Sequence, residues 1–382
     1  MTKILMVTTV PSTLRSFLLP FAAHFREQGW LVDGMACGVS TDVKCQQGFD
    51  RVWEVQWSRN PLDPRNLLAA PQVIRDLVTR ERYDLVHVHT PVAAFVTRYA
   101  LRDLRDRLGV KIVYTAHGFH FYTGGNPLKN QVFINLEKLA GNWTDYLVTI
   151  NHEDKQAVQQ HHLVAPHHDR YMPGIGVDLI YYNRHNVSES SVMQVRQELG
   201  IGADNPVLLC VAEFTARKRH VDAIAAFAKL GRTEVHLACA GSGPLLEKMQ
   251  ELAAQLGVAE RVHFLGNRPD IPTLMRAASA NILVSAQEGL PRSILESLAL
   301  ETPTIGTNIR GTKDLLADGC GLLVEVSDVA GLAAAMAEIL DRPAAAAQMS
   351  QRGYERIGDY ALESIVQLHE QLYAQALGGA TS

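Results

Sequence analysis

The chain has no apolar run that reaches the roughly 20 residues a helix needs to cross a bilayer. It has no Asp-x-Asp pair and no Cys-x-x-Cys pair. Its five cysteines, Cys37, Cys45, Cys210, Cys239 and Cys320, are scattered and odd in number. That pattern excludes a disulfide framework and a thiolate zinc site, and it fits buried thiols in a reducing, cytoplasmic compartment. A dominant charge is missing too. The formal net charge is −4, with 19 basic against 17 acidic residues up to position 180 and 17 against 23 beyond it. Binding of nucleic acid through a basic face is excluded on that balance. The slight basic bias of the first half leaves contact with an anionic inner-membrane surface open. The opening residues "MTKILMVTTVPS" run straight into a strand-like segment without a small-residue cleavage site, so no signal peptide is expected.

What is present is repetition. At 382 residues, 47% apolar and 20% charged, the chain is globular and long enough for two cores. Short apolar runs alternate with helix-like stretches: 3–10, 30–37, 84–90, 111–118 and 145–151, then 206–214, 234–241, 261–266, 280–286, 303–308 and 321–326. Alternation of this kind predicts βαβ units and parallel sheets. Between the two series, residues 170–191 collect Gly, Pro, Asn and Ser and read as a linker. The tail from Tyr354 reads as one or two amphipathic helices. The predicted organisation is an N-terminal domain over 1–180, a C-terminal domain over 181–355 and a helical segment over 356–382. Parallel sheets bind ligands at the carboxyl ends of their strands, so the chemistry is sought there.

Four stretches stand at such ends. In "SAQEGLPRSILESLAL" (285–300), Pro291 suits a first helical position, and the amides of Arg292, Ser293 and Ile294 would follow as helix-start donors for an anion. Glu288 lies beside that start and Glu296 one to two turns inside, so the two acids could hold polyols on either side of a diphosphate. The plain alternative is a dipole-favoured acid followed by a surface glutamate. In "VAEFTARKRH" (211–220), Arg217, Lys218 and Arg219 would begin a helix, where cations oppose the dipole unless an anion is bound. A solvated basic turn is the alternative. "AGSGPLLEKM" (240–249) places Gly241 and Gly243 where backbone could approach phosphate or ribose, although such loops often serve only as tight turns. In "YTAHGFHFYTGG" (114–125), His117 follows a strand and Phe119, Phe121 and Tyr122 follow it. A core or capping histidine is the alternative. The histidines of "HVH" (87–89) lack an acid cluster at ligand spacing, and no metal is expected.

Taken together, these segments and the "PGIGVD" stretch (173–178) resemble glycosyltransferase family 4 over nearly the whole chain, and look most like its capsule and exopolysaccharide branch. The resemblance implies a GT-B fold: α/β, two Rossmann-like parallel-sheet domains facing across a cleft, with a C-terminal helix returning to the first. It implies a retaining, metal-independent transferase with a nucleotide-sugar donor, UDP-linked by the branch, and a polyprenyl-linked saccharide acceptor. By the same resemblance, Glu288 meets the donor sugar and Glu296 the ribose. Lys218 takes the diphosphate with the amides near Arg292 and Ser293, and Gly241, Gly243, Arg268, Gly289 and Leu290 complete the donor site. His117 sits by the anomeric centre, with Ser12, Thr13, Phe119 and Tyr122 on the acceptor side. Two departures stand out: Glu213 occupies the position of a family arginine, for which Arg217 is the substitute, and the first loop, "VPSTLRS" (10–16), is not glycine-rich. Arg98, Arg102 and Arg105 would share one helical face and, with Phe119, Phe121 and Tyr122, could rest on lipid; with Asp103 and Asp106 nearby, a plain solvated face is the alternative. A GT-B epimerase and a non-catalytic nucleotide-sugar-binding protein are the competing readings. They differ in giving product without acceptor and in tolerating loss of His117.

Overall fold

A computed structural model describes residues 1–57, 63 and 65–378. The chain divides into two units, Met1–Ile175 with Glu363–Ser382, and Gly176–Leu362. The sequence reading placed these breaks after 180 and after 355.

Unit 1 is a seven-stranded parallel sheet: β1 (Lys3–Val7), β2 (Leu31–Ala36), β3 (Arg51–Glu54), β4 (Leu85–His89), β5 (Lys111–Ala116), β6 (Tyr146–Thr149) and β7 (Asp169–Tyr171), in the order β3-β2-β1-β4-β5-β6-β7. Its central strands are apolar and buried on both faces, as parallel strands covered by helices must be. The two edge strands, β3 and β7, were not anticipated. They are short and only partly buried, so neither carries an apolar run, and β7 lies at the start of the stretch read as linker.

Unit 2 repeats the plan with β8 (Val207–Val211), β9 (His236–Ala240), β10 (Val262–Gly266), β11 (Ala280–Leu283), β12 (Thr304–Thr307) and β13 (Leu322–Val324), ordered β10-β9-β8-β11-β12-β13 and all parallel. In both sheets the strand order reverses once, between β1 and β4 in unit 1 and between β8 and β11 in unit 2. Loops diverge there and open a crevice. The tail forms two helices, Pro343–Ile357 and Leu362–Ala376, the second packed into unit 1 through Tyr373. Among the described residues no helix is long and apolar enough to cross a membrane.

Two local expectations fail. Residues 10–16 were read as a loop, but Pro11–Thr13 form a helical turn that continues through a π-turn, Leu14–Leu18, into the helix Leu19–Glu27. The expected lipid-facing surface is also absent. Arg98 is buried, pairs with Glu137 at 2.8 Å and lies 4.2 Å over the Tyr114 ring, while Arg105 belongs to a separate short helix. Phe119 and Phe121 are buried and stacked on each other at 4.7 Å. The apolar rings went to the core because a loop just past a central strand lies over it.

Candidate active site

In unit 2 the crevice between β8 and β11 is lined by the two loops that follow those strands. After β8, Ala216–Lys218 form a 3-10 turn and Arg219 adopts a left-handed backbone, φ 50°, before the helix His220–Leu230 begins. The basic residues therefore precede the helix and do not occupy its first turn, contrary to expectation. Arg219 is neutralised by a bidentate pair with Asp222. Arg217 and Lys218 instead turn toward the loop after β11. The Lys218 ammonium donates to Glu288 Oε1 at 2.6 Å, and Arg217 Nη1 lies 3.1 Å from Oε2 while donating to the Gln287 carbonyl at 2.8 Å. Arg310 donates to the Glu288 carbonyl at 3.0 Å and fixes the loop backbone.

Glu288 and Glu296 are 8% and 6% exposed. The plain alternative of a solvated helix start with a surface glutamate is thereby removed, because ionisable groups stay buried only when partnered. The two acids are partnered differently. Burial acts to raise the Glu288 pKa, but the charges of Lys218 and Arg217 outweigh it and hold that carboxyl below the usual range. Glu296 accepts from Tyr182 Oη at 2.6 Å and from Arg292 Nε at 2.8 Å, yet burial dominates and its pKa is raised. Tyr182 lies in the stretch read as a linker, and no local pattern marked it.

The helix after β11 runs over Arg292–Ala299, with Pro291 as the cap and not the first helical residue. The Ile294 amide donates back to the Pro291 carbonyl at 3.2 Å, so it is not among the donors offered to an anion as expected. Gly289 and Leu290 span the link from Glu288 to that cap. After β9, Gly241 and Gly243 have φ of 150° and 154°, and a Cβ on either would strike backbone, at 2.0 Å from Ala212 O and 2.6 Å from Phe214 O. Both glycines are thus required for the β9 loop to lie against the β8 loop. Arg268 is taken up by Glu198, at 3.2 Å from Nη2, and by Asp270, at 2.7 and 2.8 Å. Glu213, at the position of the family arginine, is exposed.

In unit 1 the loops after β1 and β4 meet through hydroxyls. The Thr9 amide donates to Thr90 Oγ1 at 3.0 Å, and the two hydroxyls meet at 2.7 Å. Thr90 has φ 64°, an uncommon conformation for a β-branched residue, held by these bonds at the mouth of the helix Pro91–Leu101. Ser12 is exposed and Thr13 half-buried in the turn after β1. His117 follows β5. Its Nε2 lies 2.9 Å from Nδ1 of His89, its ring is stacked with Phe17, and burial pushes its pKa down to about 4. His89 packs on His87 with ring centroids 4.0 Å apart, and His87 bonds Thr115 at 2.8 Å and the Tyr373 hydroxyl of the last helix. His117 is therefore the outer member of a neutral, hydrogen-bonded histidine cluster. Tyr122 is half-buried in the following loop and Phe119 is buried, so only the former is placed to meet a ligand. Among the described residues no three His, Cys, Asp or Glu side chains converge to hold a metal.

The comparisons with known proteins agree with this architecture. The family profile described as Glycosyltransferase Family 4 matches residues 16–178, and that of Glycosyl transferases group 1 matches 192–356. EpsD of Bacillus subtilis (strain 168), which carries a provisional glycosyltransferase name, is 33% identical over 92% of this chain and 91% of its own length. An Escherichia coli enzyme named UDP-Gal:alpha-D-GlcNAc-diphosphoundecaprenol alpha-1,3-galactosyltransferase is 26% identical over 69% of this chain and 68% of its own. Among solved structures, a glycosyltransferase from Rickettsia africae ESF-5 superposes with a TM-score of 0.83 at 17% identity, over 99% of each chain. HepE of Anabaena in complex with UDP-glucose superposes with a TM-score of 0.81 at 20% identity, over 98% of this chain and 100% of that one. Profile matches on both halves and a full-length relative lead to one conclusion: the chain belongs to glycosyltransferase family 4 and is built on the GT-B fold.

Proposed function

We propose that this glycosyltransferase moves a hexose or N-acetylhexosamine from a UDP-sugar to a polyprenyl-diphosphate-linked saccharide, with retention and without a metal, in surface polysaccharide assembly at the cytoplasmic membrane face. The observation that carries the reading is the pair of buried carboxylates eight positions apart with opposite partner sets. Glu288 is held by two cations and Glu296 by a phenol and one guanidinium. The excess of cations around Glu288 suits a diphosphate, and Arg217 stands in for the family arginine lost at Glu213. A donor diphosphate shares Lys218 and Arg217 with Glu288, which keeps both cations oriented and presents its remaining lone pairs to sugar hydroxyls. Glu296, accepting bonds at its other positions, takes the ribose hydroxyls. The names of the E. coli and Anabaena relatives support UDP as the nucleotide, and the former supports a lipid diphosphate acceptor.

Lys218 and the helix start at Arg292 and Ser293 stabilise the departing diphosphate as positive charge grows on the sugar. The acceptor oxygen attacks on the face the leaving group vacates, and the diphosphate receives its proton. His117, uncharged at neutral pH, serves turnover and not nucleotide binding. The experiment is a thermal-shift screen with UDP, UDP-glucose, UDP-galactose and UDP-N-acetylglucosamine, since a ligand of the folded state raises its stability. The ligand that stabilises most is then tested for transfer in EDTA. Transfer should persist. A requirement for Mg²⁺ or Mn²⁺ contradicts the metal-free chemistry, and conversion of the donor without acceptor supports an epimerase instead.

A further inference from the structure

Residues 177–183 of unit 2 belong to no helix or strand, yet hydrogen bonds hold them in place. The Val177 amide donates to the Tyr360 carbonyl and the Leu362 amide to the Val177 carbonyl, both at 2.9 Å. One oxygen of the Asp178 carboxylate accepts from the amides of Ile180 and Tyr181, each at 2.9 Å. The Tyr182 amide donates to the Asp178 carbonyl at 2.8 Å, and Asn186 Nδ2 to the Ile180 carbonyl at 2.7 Å. An aspartate that gathers its own downstream amides makes a fixed turn. The turn sends the Tyr182 ring into the unit 2 core, where the residue is 7% exposed. Its hydroxyl ends 2.6 Å from Glu296 Oε1. Arg292 Nε donates to that same oxygen at 2.8 Å. Both bonds thus fall on Oε1, and among the described residues none falls on Oε2. The two donors are not equivalent. The Arg292 side chain is 40% exposed and keeps much of its rotamer freedom, whereas the buried phenol does not. Burial and the Glu296 charge push the Tyr182 pKa up, so the phenol keeps its proton and can only donate here.

We infer that Tyr182 is a positioning residue for the donor: its hydroxyl pins Oε1 of Glu296 and turns Oε2 toward the ribose hydroxyls. The inference rests on the ribose role proposed for Glu296 and deepens it, because the two oxygens of one carboxylate receive different tasks. Oε1 is the anchor and Oε2 the acceptor for the ligand. A carboxylate already fixed at one oxygen meets a vicinal diol with little further ordering, which favours binding. A phenylalanine at position 182 would fill the same space but leave the carboxylate with the exposed guanidinium alone. The stretch read as a linker thereby takes part in nucleotide recognition, acting through Glu296.

The test is calorimetric titration of the full chain with UDP, 2′-deoxy-UDP and 3′-deoxy-UDP. The wild type should bind at least one deoxy compound roughly tenfold more weakly than UDP, the scale of a lost hydrogen bond to a charged group. Tyr182→Phe should weaken UDP binding by roughly three- to tenfold and shrink that discrimination to about twofold. In a Glu296→Gln background the same change should have no further effect, because the group it orients is gone. Arg292→Gln removes the exposed donor and leaves the phenol in place, so it should keep most of the discrimination. Tyr182→Phe protein that binds UDP as the wild type does overturns the inference. So does a variant that binds UDP more weakly but discriminates fully, since the phenol then only partners a buried acid. Complete loss of discrimination in Arg292→Gln overturns it as well, and that result does not depend on the stability of Tyr182→Phe. Wild-type protein that binds UDP without discriminating at either position sinks the ribose role of Glu296, and the inference with it. Discrimination that the wild type shows and Tyr182→Phe retains sinks the inference alone.

Discussion

The two units use one topology and fill its crevice with opposite chemistry. Where strand order reverses in unit 2, the loops after β8 and β11 bring two cations onto one buried carboxylate. At the corresponding point of unit 1, the loops after β1 and β4 meet through two threonine hydroxyls, and the neighbouring histidines are kept uncharged by burial. The sheet supplies the opening, and the side chains at its rim decide its charge. A charged site and a neutral one should respond differently to substitution and to pH.

The largest effect is expected at Lys218. On the proposed reading Lys218→Ala removes a fixed positive charge that would face the leaving group, so turnover should fall by roughly 100- to 1000-fold. It also leaves Glu288 with Arg217 alone, and loss of one partner of a buried pair costs about 3–5 kcal/mol at the upper end. Chemical denaturation should therefore show a loss of stability that the double change Lys218→Ala, Glu288→Gln partly restores. A fully active, fully stable Lys218→Ala protein would return this turn to the surface.

Next come Glu288 and His117, one from each unit. Glu288→Ala should lower turnover by about ten- to a hundred-fold while nucleotide affinity holds, the scale of a lost hydrogen bond to a charged group made mainly in the transition state. His117→Ala should also lower turnover and spare nucleotide binding. Calorimetric titration with UDP is the check, and loss of UDP binding in His117→Ala would contradict the assignment of the nucleotide to unit 2.

Within unit 2 the contrast between the acids sharpens further. Glu296→Gln should weaken UDP binding by roughly tenfold on the same hydrogen-bond scale. Its effect on stability should oppose that of Glu288→Gln. A carboxylate with a lowered pKa adds stability above the usual glutamate range, and that stability is lost as pH falls through the lowered value. Glu296, with a raised pKa, instead costs stability once ionised. At neutral pH Glu288→Gln should destabilise and Glu296→Gln should not.

The smallest effect concerns the histidines. His117 and His369 have pKa values pushed down to about 4 by burial, and those of His87 and His89 are lowered as well. Between that value and the ordinary histidine range of about 6.5, the unfolded chain binds more protons than the folded one, so stability rises with pH. Unfolding followed across that window should show the rise, and His117→Gln should flatten it in part, because His87, His89 and His369, whose ring lies 5.7 Å from that of His87, remain. His89→Gln should shift the pH profile of turnover by several-fold at most while UDP affinity holds, because it acts by orienting His117. An unshifted profile would reduce His89 to core packing.

Much of this was legible along the chain. Eleven apolar runs with helical stretches between them announced parallel sheets, and their carboxyl ends located Lys218, Glu288, Glu296, Gly241, Gly243 and His117. Those signals are local: period, turn residues and charge within a few positions. The short edge strands β3 and β7 escaped because an edge needs little apolar content. Arg268 entered only through the family resemblance, and its pairing with Glu198, 70 residues away, could not be read from the residues around it.

Partnership across the sheet was not readable in that way. Lys218 and Glu288 stand 70 residues apart, Tyr182 and Glu296 are separated by 114, and His87 and Tyr373 by 286. Each pair exists because strand order brings their loops or helices together, and strand order is set by packing among distant segments. Burial follows the same rule. Composition placed phenylalanines and arginines near the 117–122 loop and the helix Pro91–Leu101, and packing enclosed them while leaving Leu128, Val132 and Leu139 in solvent. Residue types and their spacing thus specified which chemistry the chain carries. The long-range pairing of strands settled which carboxylate each cation holds, which histidines stay neutral and which apolar face is left uncovered.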